Sequence, residues 1–201
     1  MSGEQAHEKG REGARRAKEW LDATTRVNAM YVNPNPLAVN KLTFPRGNPE
    51  AEPFSFDLGG FLLGGEIDGE EFLAESKFYA SHGDQGTAYV KYLAQCYCAY
   101  GHRPERCDNF MWITWAPFLV TKWPDLCTPD YVKSAVLTHC ERALNEIDSS
   151  AAADLVDDTI CEAVARRLWI IVLSERQETL VISKDHRAVI QAHDVRKDIK
   201  P

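Results

Sequence analysis

The stretch that decides the fold is residues 57–77, which read DLGGFLLGGEIDGEEFLAESK. Gly64-Gly65 and Asp68-Gly69 are residue pairs that favour a tight turn, and the residues on either side are largely apolar, so the stretch predicts a β-hairpin. Successive side chains of a strand point to opposite faces. Glu75 and Lys77 therefore share one face of the second strand, and the other face carries residues suited to burial, which are Phe72, Ala74, Ser76 and Phe78.

The same hairpin carries a group of charges with a possible chemical role. Asp57 lies on the first strand and faces Glu75 and Lys77 on the second. Two carboxylates next to an ammonium can bind a hard divalent cation and activate a water beside it. The alternative is that these charges form a solvated sheet edge or a structural ion pair between Glu75 and Lys77.

Length, hydropathy and cysteine content limit the class of protein. A chain of 201 residues with 44% hydrophobic residues fits one globular domain with its own core. No apolar run is as long as a membrane span, and Met1 is followed by polar residues, so we expect neither a membrane protein nor a secretory signal. The six cysteines form no C-x-x-C pair, which predicts reduced thiols in a cytoplasmic protein.

The negative charge of the chain is concentrated around the hairpin. The net charge is −7, which taken alone argues against nucleic acid. Residues 51–80 hold seven acidic residues and one basic residue, so they account for −6 of that total. The remaining 171 residues carry a net charge of −1, and they leave room for an anionic partner.

The other segments alternate between helical and extended patterns. Residues 28–53 are rich in Asn and Pro, which predicts a loop or arm with one short strand at 37–44. Thr128-Pro129 predicts a helix start, with Thr as N-cap and Pro at the first helical position. The predicted helices are 4–23, 84–100, 129–147 and 151–167, and the further strands are 109–117, 169–173 and 179–183. This order predicts an α/β sandwich built on a central mixed sheet.

The order helix, hairpin, helix, strand over residues 5–117 resembles the PD-(D/E)xK nuclease superfamily. In that family the hairpin carries an acidic residue and a Glu-x-Lys, here Asp57 and Glu75-Ser76-Lys77. Gln85 and Tyr89 form a Q-x-x-x-Y motif at the start of the next helix, which is similar to the RecB-like branch. The proline that usually precedes the first acid is absent, because Phe56 occupies its place.

The resemblance implies a restriction-endonuclease-like α/β/α sandwich with a central mixed β-sheet, in a single domain with elaborations in 118–201. It implies that Mg²⁺, or Mn²⁺ in its place, binds Asp57, Glu75 and the backbone carbonyl of Ser76. The family often adds a Glu from the first helix, for which Glu12 and Glu19 are candidates and Glu12 is preferred. It also implies catalytic roles for Lys77 and Gln85, and nucleic-acid contacts for Gln85 and Tyr89.

The implied activity is hydrolysis of DNA phosphodiester bonds in phage defence, restriction or repair. The chain contains no G-x-x-x-x-G-K-[ST] motif, so a nuclease of this kind would work with a partner such as an ATPase or sensor subunit, and a homodimer would suit a double-strand cutter. Two alternatives remain open at this point, namely an RNA-directed nuclease and an inactive, nucleic-acid-binding or structural subunit of the same fold. For Tyr89 the alternative is an ordinary core aromatic residue.

Overall fold

A computed structural model describes residues 3–78 and 84–198 of the protein. The N-terminal part consists of one long helix, a strand, a short helix and two two-residue strands, which are α1 (Gly3–Ala23), β1 (Val27–Val32), α2 (Pro36–Leu42), β2 (Thr43–Phe44) and β3 (Phe54–Ser55). The central part holds the predicted hairpin, a helix and a buried strand, which are β4 (Leu58–Leu62), β5 (Glu71–Lys77), α3 (Gln85–His102) and β6 (Asn109–Thr114).

The C-terminal part is mainly helical. Its elements are α4 (Pro129–Thr138), α5 (Cys140–Leu144), α6 (Ser149–Ala153), α7 (Asp158–Ala165), β7 (Leu168–Val172), α8 (Glu175–Glu178) and α9 (Lys184–Asp198). Short 3-10 turns cover Gly65–Ile67, Pro104–Arg106 and Val120–Asp125.

Five strands form a mixed sheet in the order β1-β4-β5-β6-β7. The β1–β4 and β4–β5 pairs are antiparallel, whereas β5–β6 and β6–β7 are parallel. The predicted α/β architecture on a central mixed sheet is confirmed. Because β7 completes this sheet, the C-terminal third of the chain is part of the central layer as well as an elaboration of it.

Two hydrophobic clusters cover the two faces of the sheet. On one face, α1 packs through Ala14, Ala17 and Leu21 against side chains such as Phe72 and Ala74 of β5. On the other face, helices α3, α4 and α7 pack on a larger cluster, which includes Leu73, Tyr89, Tyr92, Phe110, Trp112, Val132 and Val164. The period-two pattern of β5 therefore divides its side chains between the faces as predicted, although Tyr79, which would continue it, lies outside the described residues.

The prediction for residues 28–53 was wrong in its details. Residues 27–32 form the edge strand β1, and most of the predicted strand 37–44 is the helix α2. Asn35 Oδ1 accepts a hydrogen bond from Leu37 N at 3.0 Å, and Pro36 occupies the first helical turn. This Asn-Pro start is the same type of signal as Thr128-Pro129, which the structure confirms as the start of α4.

The long helices predicted in the C-terminal part are interrupted. His139 separates α4 from α5, and its backbone N–H bonds to the carbonyls of both Ala135 and Val136. Asp157 accepts hydrogen bonds from the backbone of Thr159 and Ile160, so α7 starts there as a new helix. The predicted strand 179–183 is instead the connection between α8 and α9.

Candidate functional site

The start of β4 and the end of β5 bring Asp57 and Ser76 together. Asp57 Oδ2 accepts hydrogen bonds from Ser76 N at 2.9 Å and from Ser76 Oγ at 3.1 Å. The backbone N–H of Asp57 donates to Ala74 O at 3.0 Å, which fixes the position of its main chain. A residue in an antiparallel ladder directs its N–H and C=O to the same neighbour, so the Ser76 carbonyl faces the side on which Asp57 lies.

Glu75 and Lys77 form an ion pair on the face of β5 that α3 covers. Lys77 Nζ donates to Glu75 Oε1 at 2.6 Å. The side chains of Glu75 and Lys77 are 15% and 23% exposed, respectively. The pair is therefore mostly shielded from solvent, yet a ligand can still reach it. A buried pair of this kind costs desolvation energy that its attraction alone often fails to offset. Ion pairing for stability is therefore a weak reason for its presence.

Burial and mutual repulsion perturb the two carboxylates. Burial, followed by the negative charge of Asp57, raises the pKa of Glu75 to about 7, against the opposing effects of Lys77 and Lys91. Burial also raises the pKa of Asp57, although the Lys77 charge and the hydrogen bonds from Ser76 oppose this shift. A buried carboxylate with a raised pKa, next to a second carboxylate, forms a site whose charged form a bound cation would stabilise.

Gln85 occupies the first turn of α3 and is fully buried. Its Oε1 accepts a hydrogen bond from Thr114 Oγ1 at 2.7 Å, and Thr114 lies beside Lys77 in the parallel β5–β6 register. Gln85 Nε2 has no hydrogen-bond partner within the described residues. A buried amide donor without a partner is uncommon in native proteins and is often explained by a functional role or a bound water.

Tyr89 lies in the core, and the prediction that it contacts nucleic acid is not supported by its position. Its side chain is 0% exposed and packs against the rings of Tyr92, Trp112 and Phe118. Its hydroxyl donates to Leu126 O at 2.9 Å, so the polar atom of the ring already has a partner. The core-aromatic alternative describes Tyr89 correctly.

Glu12 and Glu19 lie on the solvent-exposed side of α1. Both pair with Arg15, at 2.7 Å and 2.6 Å respectively, and their side chains are more than 40% exposed. The buried face of α1 is formed by Ala14 and Ala17. The structure therefore shows Glu12 in a surface ion pair with Arg15, and its metal-ligating role stays a prediction.

The described residues contain no group of three or more His, Cys, Asp or Glu side chains placed to hold a metal. The ligands that the hairpin does offer are the carboxylates of Asp57 and Glu75 and the carbonyl of Ser76. They are hard oxygen donors, which suit a cation that keeps several waters and takes further ligands from a substrate phosphate. The donor set therefore fits Mg²⁺ or Mn²⁺ as a partly hydrated ion.

Thr114 is a site residue that the sequence did not indicate. It ends β6, 29 positions after Gln85, and nothing local connects the two. The parallel pairing of β5 with β6 brings its hydroxyl to the amide of Gln85. To predict this contact from the sequence, one would need the order of the strands in the sheet, which no local pattern supplies.

No family model, no curated protein and no solved structure matches the chain. Within residues 3–78 and 84–198, no helix is long and apolar enough to cross a membrane. All six cysteines are free thiols, of which five are buried and Cys127 is exposed.

Proposed function

We propose that the protein is a metal-dependent nuclease that hydrolyses DNA phosphodiester bonds. The observation that carries this proposal is the cluster of Asp57, Glu75 and Lys77 at the open end of the β4–β5 hairpin. There, burial, followed by the negative charge of Asp57, raises the pKa of Glu75 to about 7, and Lys77 Nζ lies 2.6 Å from Glu75 Oε1. Perturbed carboxylates next to a cationic side chain are a frequent property of catalytic sites.

The order of elements supports the restriction-endonuclease-like fold as part of the proposal. Helix α1 precedes the β4–β5 hairpin, α3 follows it, and β6 then pairs parallel to β5. In the PD-(D/E)xK superfamily that order accompanies an acid on the first strand of the hairpin and a Glu-x-Lys on the second. Asp57, immediately before β4, and Glu75-Ser76-Lys77, at the end of β5, would take the corresponding roles, with β1 as an additional edge strand.

Asp57, Glu75 and the Ser76 carbonyl would hold Mg²⁺, or Mn²⁺ in its place. When bound, such an ion polarises a phosphoryl oxygen and lowers the pKa of a water molecule. Lys77 would orient the attacking water and stabilise the negative charge that develops on the phosphate. The Gln85 amide, whose oxygen accepts a hydrogen bond from Thr114, would offer its unpaired N–H groups to a phosphate oxygen.

A role as an effector in phage defence, restriction or repair, in the cytoplasm, is part of the proposal, together with a homodimer or a separate ATPase or sensor subunit. One observation favours a second candidate, which is a non-catalytic nucleic-acid-binding subunit of the same fold. The described residues supply two carboxylates to the site and no third metal-binding side chain. RNA in place of DNA is a further outcome of the same test.

The test is cleavage of labelled linear and plasmid DNA, and of RNA, in Mg²⁺ or Mn²⁺. We expect metal-dependent cleavage that Lys77→Ala and the near-isosteric Glu75→Gln each reduce on the order of 10²–10³-fold, as for loss of other groups that stabilise transition-state charge.

Lys41→Ala is the matched control, since Lys41 is an exposed lysine in the last turn of α2 and should leave cleavage unchanged. Circular dichroism and thermal unfolding of each variant separate loss of activity from loss of folding. Equal cleavage by the wild type and Lys77→Ala would overturn the site. Absence of cleavage in any metal, with DNA binding retained, would establish the non-catalytic alternative.

A further inference from the structure

Four basic side chains from three separate segments line one hollow beside α3. Arg46 comes from the Asn- and Pro-rich segment before β3, Lys91 from α3, and His139 and Arg142 from the junction of α4 with α5. The remaining lining residues are small and come from α3 and α5, namely Ala94, Cys98 and Ala143. The hollow has a volume of only about 10 Å³, so a phosphate would contact the basic side chains where they reach its rim.

Close backbone packing holds the segment that carries Arg46 against α5. A Cβ at Gly47 would lie 1.7 Å from Ala143 O, so the chain after Arg46 approaches α5 as closely as only glycine allows. Asn48 N donates to Arg142 O at 3.1 Å, and Asn48 Nδ2 donates to Glu141 O at 3.2 Å. The hollow is therefore a fixed arrangement of the fold.

Arg46 is oriented by contacts of its own. Its Nε donates to Glu52 O at 2.9 Å, and its guanidinium lies 5.1 Å from the centre of the Phe54 ring. These contacts use the stem and one nitrogen of the guanidinium, so other N–H donors of Arg46 remain for a ligand. The contacts with the Glu52 carbonyl and the Phe54 ring also fix the direction in which those donors point.

The positive charges of the hollow are not neutralised by carboxylates of the described residues. Several basic residues elsewhere, such as Arg15, Arg16 and Arg106, pair with glutamates, whereas no ion pair within 4 Å among the described residues involves Arg46, Lys91 or Arg142. Burial, and then the charges of Arg142, Lys91 and Arg46, lower the pKa of His139. His139 Nε2 is buried and has no hydrogen-bond partner in the described part of the chain.

The hollow and the candidate nuclease site are connected by α3. Gln85, which Thr114 links to the site, begins this helix, and Lys91 follows six residues later, about 9 Å along the helix axis. A larger open cleft of about 980 Å³ also contains His139 and extends to Gly86 and Thr87, next to Gln85 at the start of α3. A strand that lies along α3 can therefore reach both places.

We propose that Arg46, Lys91, His139 and Arg142 bind the phosphate backbone of the DNA strand whose scissile phosphate lies at Asp57 and Glu75. This proposal rests on the proposed function and adds that the substrate is a polynucleotide held at a second position. Uncompensated arginine and lysine side chains bind phosphates without regard to sequence. The hollow therefore positions the strand, and the hairpin site performs the chemistry.

The test is the binding of a fluorescent DNA duplex, measured by anisotropy in EDTA at several salt concentrations. The variant is Lys91→Gln with Arg142→Gln, because both side chains are exposed and form no ion pair within the described residues. Each phosphate contact that is lost should reduce the slope of log K against log salt by about 0.9. We expect the slope to fall by about 1.8 and the affinity to fall on the order of tenfold.

The matched control is Arg11→Gln with Arg176→Gln, which changes the net charge equally at two exposed arginines of α1 and α8. Its slope should equal that of the wild type. Equal slopes for both double variants, or no binding by the wild type, would overturn the proposal. Because EDTA prevents cleavage, normal binding without any cleavage in Mg²⁺ would refute the nuclease and leave the basic hollow intact.

A competition arm separates a polymer from a single phosphate. Inorganic phosphate, at ionic strength matched with NaCl, should displace the duplex no more than NaCl does. Stronger displacement from the wild type than from Lys91→Gln/Arg142→Gln would mean that the hollow takes one free phosphate, and it would overturn the strand-binding assignment. Tighter binding of an RNA duplex of the same sequence would overturn the assignment to DNA.

Discussion

The two carboxylates of the hairpin site and the basic side chains of the hollow beside α3 are groups of opposite charge, and they differ in burial. Asp57 and Glu75 lie where burial raises the pKa of each carboxyl group, and for Glu75 the value reaches about 7. Lys91 and Arg142 are exposed, and Arg46 and His139 are partly buried. Burial makes the first cluster sensitive to protons and cations, whereas exposure lets the second attract any polyanion through its permanent charge.

Under the proposal, the buried carboxylates carry out the hydrolysis and the exposed basic residues position the DNA strand. A pair of carboxylates with raised pKa values binds a cation more favourably than water-exposed carboxylates do, because the cation removes a repulsion that the fold imposes. Arginine and lysine at an exposed site bind with an affinity that depends on salt. The two clusters should therefore respond to different variables, which are pH and divalent metal for the first and ionic strength for the second.

The largest expected effect is on the pH dependence of the free energy of unfolding, to which Glu75 contributes. Its folded-state pKa of about 7 lies above the ordinary value of 4.5, so its contribution to stability is fully present below pH 4.5 and is lost as the pH rises through 7. The side chain introduced in Glu75→Gln cannot ionise, so the variant does not lose this contribution to stability as the pH rises. In EDTA, the urea-derived stability of Glu75→Gln relative to the wild type should rise by about 3 kcal/mol between pH 4.5 and pH 8.

Glu66→Gln is the control for this measurement, because Glu66 is exposed in the hairpin turn and the substitution should change stability equally at both pH values. Addition of Mg²⁺ at pH 8 should stabilise the wild type more than Glu75→Gln. A difference between wild type and Glu75→Gln that stays constant with pH would show that the pKa of Glu75 is not raised in the folded protein.

A smaller effect is expected from Gly47→Ala, which acts on the basic hollow alone. The new Cβ would collide with the main-chain oxygen of Ala143, which cannot move without displacing α5. We expect a loss of about 1–3 kcal/mol in urea unfolding, typical of overpacking, and a shallower salt dependence of DNA binding. Gly10→Ala, in open space on α1, should preserve the salt slope. A normal slope in Gly47→Ala would show that the segment carrying Arg46 does not build the hollow.

The smallest predicted effect is that of Thr114→Val, which acts on the hairpin site alone. It removes the hydroxyl that donates to Gln85 Oε1 and leaves that buried oxygen without its partner. We expect a cost of about 1–2 kcal/mol in stability and slower metal-dependent cleavage with unchanged DNA affinity in EDTA. Thr138→Val, which loses only a bond to the Ser134 carbonyl on α4, is the matched control. Weaker DNA binding by Thr114→Val would contradict the separation of the two clusters.

The sequence predicted the hairpin, α1, α3, β6, β7 and the start of α4 well, because each depends on a local pattern. Alternation divides the β5 side chains between two faces, and Thr128-Pro129 caps α4. The same logic was available at Asn35-Pro36, where the proline content was instead interpreted as an arm and the helix α2 was missed. The break at His139 depends on the packing of α5, so no local residue pattern indicated it.

The residues of the candidate site also divide into those that a local pattern predicts and those that depend on packing. Asp57, Glu75 and Lys77 come together because an antiparallel hairpin pairs residues close in sequence, and this much could be deduced from the chain. Tyr89 satisfied a motif, yet Trp112 of β6, Phe118 and the Leu126 carbonyl enclose it in the core. A motif specifies which residues share a helical face, and packing decides whether that face is buried.

The sequence by itself determined the face on which Glu75 and Lys77 lie, the concentration of acidic residues around the hairpin and the starts of most helices, since these follow from periods of two and 3.6 residues and from capping groups. Only the tertiary structure decided the burial that raises the pKa of Glu75, the bond between Thr114 and Gln85, and the meeting of Arg46 with Arg142. The physical reason is that desolvation and like-charge repulsion depend on contacts between distant segments, which local patterns do not specify.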